Sequence, residues 1–119
     1  MVLREVIAQV DETKPNAFSN EQKTAWINEA EGKAQTEIFL FAPPQIISYD
    51  WDSDQNTELL IAKPHDCIYG YYLTAMIDFA NGEYNRYNNS SQIFNSHYKE
   101  FMRWFALHYR PADAMEVFI

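Results

Sequence analysis

The stretch YGYYLTAMIDFANGEYNRYNNSSQIFNSHYKEFMRWFALHY, residues 69–109, decides the fold. It holds two aromatic helical patterns that meet at Asn81-Gly82-Glu83. In the second pattern Tyr84, Tyr87, Phe94, Tyr98, Phe101 and Phe105 recur at spacings of three, seven, four, three and four, with Ser91 at the one missing step. Such spacing puts all of them on one face of a long helix. The first pattern places Ile68, Tyr69, Tyr72, Leu73, Met76, Ile77 and Ala80 on one face as well. Gly82 after Asn81 is a helix stop, and Glu83 suits the positive end of the helix that follows. The spacing therefore predicts a long antiparallel hairpin, with helices over about 64–80 and 83–109. Pro64 is placed at the first helical position, where its missing N–H costs nothing. Gly70 weakens its helix by about 1 kcal/mol relative to alanine. The run Asn88-Asn89-Ser90-Ser91 is a candidate kink, because these side chains compete for backbone hydrogen bonds. Pro111 marks the end of the last helix, and the tail 112–119 reads as either loose or a docking strand.

Upstream of the hairpin, Leu3, Val6, Ile7 and Val10 share one helical face, which predicts a first helix over 2–12. Lys14-Pro15-Asn16 ends it. Ser19 reads as an N-cap, with Gln22 three residues on as its capping-box partner. Phe18, just before the cap, is placed for a hydrophobic staple with the stem of Lys23 or its neighbour. Trp26, Ile27, Ala30, Ala34, Ile38 and Phe41 carry a second helix over about 20–41, with Glu21, Glu29, Glu31, Lys33 and Glu37 assigned to wetter faces. Pro43-Pro44 stops it. Residues 43–63 form an irregular loop, with Thr57–Ile61 as a short extended piece. A connection of that length in a small domain is usually functional or mobile. The expected fold is all-α, a single domain over 1–119 with four helices.

A chain of 119 residues that is 47% hydrophobic and 16% aromatic can bury a core without covalent staples. Cys67 is the only cysteine, so no intrachain disulfide forms and a reducing compartment fits best. No apolar run approaches the roughly 18 residues of a membrane span. The opening residues lack a signal-peptide pattern. A soluble, cytoplasmic chain is expected. The net charge is −8, with nine Lys and Arg spread singly along the chain. A phosphate-binding surface needs a basic cluster, so nucleic acid is not an expected ligand.

The residues that carry chemistry elsewhere form no complete motif here. Asp50, Asp52 and Asp54 have the opening spacing of a calcium loop. Gln55 replaces the turn glycine and Ile61 stands where the closing glutamate belongs, so the segment reads as a solvated acidic loop. His65, His97 and His108 are scattered, and Cys67 reads as a buried structural thiol without a catalytic partner. With three glycines in the chain, a phosphate cradle is hard to build. No catalytic, cofactor or metal residue is assigned, and an enzyme is not expected. The aromatic seam itself is core. Tyr71, Trp104 and Tyr109 fall off it, as do Phe79 and Met102, and two helices cannot hide them all. Either the first two helices cover them or a partner does. Tyr71, Trp104, Tyr109, Tyr49 and Trp51 are therefore the candidate interface residues.

Asn56–Ile61, Tyr69–Glu83, Tyr87-Asn88-Asn89-Ser90 and Phe94-Asn95 together resemble a group of small prophage proteins, and that group is similar to the head–tail connector (adaptor) family of tailed bacteriophages. The likeness is clearest over about residues 56–111; residues 1–55 match in element order. The resemblance implies a structural virion subunit without cofactor. It would form a homo-oligomeric ring, a dodecamer in the family pattern, at the head–tail junction after assembly in the host cytoplasm. It implies contacts with a portal protein and a tail-side completion protein, with DNA passing through unbound and no membrane involved. Asp50, Asp52, Asp54 and Glu58 are the acids expected at the lumen or on the loop, where negative charge repels DNA. The alternative is a prophage adaptor or regulatory domain that binds another protein through the hairpin.

Overall fold

The computed structural model describes residues 1–109. Its helices are α1 (Leu3–Thr13), α2 (Asn20–Glu37), the single-turn α3 (Trp51–Asp54), α4 (Cys67–Ala80) and α5 (Tyr84–His108), with a 3₁₀ turn at Pro43–Gln45. No strand occurs among the described residues; the one bridge joins Val2 and Glu58 in antiparallel sense. The expected all-α architecture, with four substantial helices, is the observed one.

Helix α4 is the centre of the domain. It packs along α5 most extensively and also meets α1 and α2. Ile68, Tyr69, Leu73 and Ile77 are all but sealed from solvent. They meet Leu3, Val6, Ile7 and Val10 of α1, Trp26, Ile27 and Ala34 of α2, and Phe94, Tyr98 and Phe101 of α5 in a single core. Gly70 faces α1, where an added Cβ would lie 3.9 Å from Val10 in ordinary van der Waals contact, so packing alone does not require a glycine here. The hairpin corner is a Schellman motif. Glu83 N–H donates to Asp78 O at 2.9 Å, Gly82 N–H donates to Phe79 O at 3.0 Å, and Gly82 takes φ 73°. Beneath this corner Asp78 is buried, accepts from Ser90 Oγ at 2.8 Å and pairs with Lys14 Nζ. The corner is thereby tied to the end of α1.

Several boundaries differ from those the sequence predicts. Helix α2 stops at Glu37, short of Phe41, because Leu40 turns left-handed at φ 57° and Phe41 N–H folds back onto Gln35 O at 2.9 Å. Helix α4 begins at Cys67, beyond Pro64; the Lys63–Pro64 peptide is cis and the intervening residues form tight turns, His65 N–H to Ala62 O and Ile68 N–H to His65 O. Asn88–Ser91 does not break α5, since Ser91 Oγ bonds back to Asn88 O at 3.1 Å within a continuous helix. Ser19 caps α2 as expected, its Oγ accepting from Gln22 N–H at 3.0 Å. Phe18 packs on Trp26, ring to ring at 5.1 Å, three residues beyond the Lys23 position expected for the staple. The tail 112–119 lies outside the described residues.

The largest correction concerns Glu31, assigned by sequence to a wet face. It has no exposed surface. Its Oε2 accepts from Tyr49 Oη at 2.7 Å and from Leu60 N–H at 3.1 Å, and its Oε1 accepts from Tyr69 Oη. Tyr69 Oη in turn accepts Ile61 N–H at 2.8 Å. On the same stripe of α2, Asn28 and Gln35 use their side-chain amides as if they were strand backbone. Asn28 donates to Tyr49 O at 2.9 Å and accepts from Tyr49 N–H at 2.8 Å. Gln35 does the same to Ile47, at 2.9 and 2.7 Å. The far end of the loop caps α1: Leu3 N–H reaches Thr57 O and Arg4 N–H reaches Gln55 O, which satisfies two of the free donors at that helix start. The connection 43–63 is therefore fixed to α2 at residues 47 and 49 and to α1 at residues 55 and 57, so these parts are not the mobile loop that its length allowed.

Glu31→Ala would leave two phenols and one amide without their acceptor, at about 1–3 kcal/mol each when buried. A loss of at least about 3 kcal/mol is expected in urea unfolding, and Tyr69→Phe should lose about 1–3 kcal/mol. A loss below about 1 kcal/mol for Glu31→Ala would remove the carboxylate from its central place. Burial first, then the charge and hydrogen bonds of Glu31, Glu29 and Glu37, hold the phenols of Tyr49, Tyr69, Tyr72 and Tyr98 above the ordinary tyrosine value. A raised folded pKa stabilises the fold below the unfolded value, near pH 10, and that stability is lost as pH rises beyond it. Spectrophotometric titration should show four of the eight tyrosines ionising only as the protein unfolds in alkali.

Candidate functional site

The candidate interface residues do not form one surface. Tyr49 is buried, 8% exposed, with its hydroxyl on Glu31 and its backbone on Asn28, so it is withdrawn from the interface set. The misreading has a simple cause: an aromatic beside acids in an irregular segment looks solvent-facing until a buried acceptor is found for its hydroxyl. Trp51 is half-buried and packs against the core from α3. Tyr71 is half-buried in the α4–α5 seam and stacks on His97, 4.8 Å between centroids and 21° between planes.

Trp104 and Tyr109 do come together. They sit at the C-terminal end of α5 in a run of rings: Trp104 lies 4.9 Å from His65, 4.8 Å from His108 and 5.5 Å from Tyr109. Tyr109 stacks on Phe105 at 5.0 Å, and Phe105 meets Phe39 edge-on at 5.1 Å. His108 Nδ1 is 2.8 Å from Trp104 O, so this histidine is held by its own helix. Beside this row, between the end of α2 and the end of α5, lies an open groove of about 430 Å³, floored by Ile38, Phe39, Met102 and Phe105 and edged by Leu40 and Tyr109. Glu37 supplies its polar rim. The Glu37 carboxyl accepts from Tyr98 Oη at 2.6 Å and pairs with Lys33 at 3.1 Å. The tyrosine hydrogen bond and Lys33 outweigh partial burial and hold it below the usual carboxylate range. Its contribution to stability is present at neutral pH and lost as pH falls through that lowered value.

A second apolar patch lies at the opposite end of the hairpin. Phe79 is 51% and Tyr84 61% exposed, and their rings meet at 5.8 Å. Ile93 on α5 and Ile46 and Ile47 on the loop are exposed as well. The sequence singled out Phe79 but not Leu40, Ile46, Ile47, Ile93 or Leu107. Their signal was weak, because each sits next to a turn or off the aromatic seam.

The loop acids divide. Asp50, Asp52 and Glu58 face solvent, whereas Asp54 is half-buried and its Oδ2 accepts Asp50 N–H at 2.8 Å, closing the turn of α3. Glu58 lies 2.9 Å from the Met1 nitrogen. No cluster of three or more His, Cys, Asp or Glu suited to a metal occurs among the described residues. Cys67 is exposed, contrary to the expectation of a buried thiol: it opens α4 on the solvent side, while its neighbours Ile68 and Tyr69 turn into the core. Partial burial of the sulfur, then Asp66, push the thiol above its ordinary value, which makes it a poor nucleophile at neutral pH. The arrangement offers ring faces and apolar edges to a partner and no assembled set of reactive groups among the described residues. No family model matches the chain, and no curated protein or solved structure matches it significantly.

Trp104→Ala removes a ring stacked among four others and should cost about 1–3 kcal/mol, less than the 3–5 of a fully buried aromatic. Tyr109→Ala, at a position 59% exposed, should stay within about 0.5 kcal/mol. Thermal unfolding of the two variants measures the difference. Equal losses would show that Tyr109 belongs to the core.

Proposed function

We propose that the chain is a structural subunit of a phage or prophage particle, a head–tail connector protein that assembles into a ring between a portal and the tail. The observation that carries this reading is the surplus of apolar surface on the hairpin after every helix has packed: Phe79, Tyr84, Ile93, Leu107 and Tyr109 are each at least 44% exposed. Exposed large apolar groups in this density suit a protein–protein contact. They lie at both ends and along the length of α5 and its corner, as a subunit with a neighbour on each side requires. The sequence resemblance at Tyr69–Glu83 and Tyr87–Ser90 supplies the particular assembly. The charge of −8, with Asp50, Asp52 and Glu58 directed to solvent, suits a passage through which DNA slides without binding.

Light scattering tests the reading on the purified chain, with and without a portal protein. Concentration-dependent rings, or rings formed only on the portal template, are expected. Phe79→Ser and Tyr84→Ser should weaken assembly while leaving thermal stability nearly unchanged. A monomer under every condition would sink the connector reading, and binding of a partner without ring formation would favour the adaptor alternative.

A further inference from the structure

Asp66 stands at the N-cap of α4, yet its side chain does not cap the helix. The residue is only 9% exposed, and its Oδ2 is buried without a hydrogen-bond donor among the described residues. A carboxylate in that position is costly until a donor reaches it. The Met1 nitrogen stands 3.8 Å away, beyond hydrogen-bond reach, and bonds Glu58 at 2.9 Å instead. Asp78, the other buried acid with such an oxygen, has the Lys14 ammonium against it. No lysine or arginine side chain of the described residues does the same for Asp66.

Asp66 opens onto a space. With Val6, Val10, Gly70, Tyr71 and Thr74 it lines a cleft of about 230 Å³ between α1 and α4. Gly70 keeps this cleft open. Helix propensity favours alanine there, and an added Cβ would make only an ordinary contact with Val10. What the bare Cα preserves is room between the two helices. Asp66 and Thr74 are separated by about 12 Å of helical rise, so the cleft runs along α4 with its acid at one end. Its volume is below the roughly 300–1,000 Å³ of a typical small-molecule site, which suits a short unbranched chain. Apolar walls at Val6 and Val10 accept methylene groups, the acid accepts several N–H donors, and the Tyr71 ring tolerates a cation. The net charge of −8 draws cations to the surface and repels anions.

We propose that the α1–α4 cleft binds a short primary alkylammonium group, with its nitrogen on Asp66 and its stem along Val10 and Gly70. Two sources carry that group: a free short-chain amine, and the lysine side chain of another protein. The inference does not depend on ring assembly.

The test titrates the isotope-labelled full chain with butylammonium chloride, against sodium chloride at equal ionic strength. The amide signals of Val10, Gly70 and Thr74 should shift to saturation, with a Kd of about 1–10 mM for so small a probe. 1-Butanol, which has the stem without the charge, should bind at least about tenfold more weakly. Asp66→Asn should weaken butylammonium by at least about tenfold and leave Tm unchanged or raised, because no donor is lost. Gly70→Leu, which fills the cleft, should abolish the shifts. Nα-acetyl-lysine amide binding as tightly as butylammonium would assign the site to a lysine side chain; binding at least about tenfold weaker would assign it to a free amine. Shifts that fail to saturate, that sodium chloride or 1-butanol reproduces, or that persist in Asp66→Asn or Gly70→Leu would overturn the proposal. So would a fall in Tm of more than about 4 °C in Asp66→Asn, since the carboxylate would then belong to the fold.

Discussion

One buried carboxylate sets the terms for the rest of this domain. Glu31 gathers Tyr49 from the loop, Tyr69 from α4 and the Leu60 amide from the approach to α4 around a single pair of oxygens. A charge or polar group placed in a core costs several kcal/mol unless its partners are all present. Here every contact to the carboxylate is a donor, so the arrangement is complete only when helix, loop and α4 are in register. The apolar contacts of the core are tolerant of small shifts; this one is not. Asn28 and Gln35 extend the same constraint one turn in each direction along α2.

How much of this could be read from the residues depends on which physics each element obeys. The faces of α1, α4 and most of α5 follow hydrophobic period, and Leu3, Val6, Leu73, Ile77, Phe94, Tyr98 and Phe101 are buried where the spacing places them, whereas Tyr84, on the same expected seam, is exposed because it lies at the hairpin corner beyond the packed helices. The Asn81-Gly82-Glu83 corner is local chemistry, and its Schellman geometry follows from the glycine. Glu31 was illegible for a definite reason. A glutamate at i+3 from one amide residue and i−4 from another looks like an ordinary wet stripe, and its burial is decided by donors eighteen to thirty-eight residues away. The stop at Leu40 was hidden similarly, since a left-handed leucine has no sequence signature. Of the interface candidates, Trp104 and Tyr109 fall side by side, while Tyr49 was claimed by the buried acceptor.

The functional reading rests on what packing leaves over. Helix α4 consumes the apolar faces of three neighbours, and the aromatic content of α5 exceeds what remains to be covered. The half-buried Tyr71 and Trp104 stiffen the hairpin through stacking on His97, His65 and His108, whereas the exposed rings at its two ends are free to engage others.

The amide clamps of Asn28 and Gln35 grip only the main chain of residues 47 and 49. Such a grip is blind to side-chain identity along the outward positions Ile46, Ser48, Asp50 and Asp52. Drift at these sites alters the charge and stickiness of the outer surface without loosening its attachment. The loop is thus a fixed rail with exchangeable fittings.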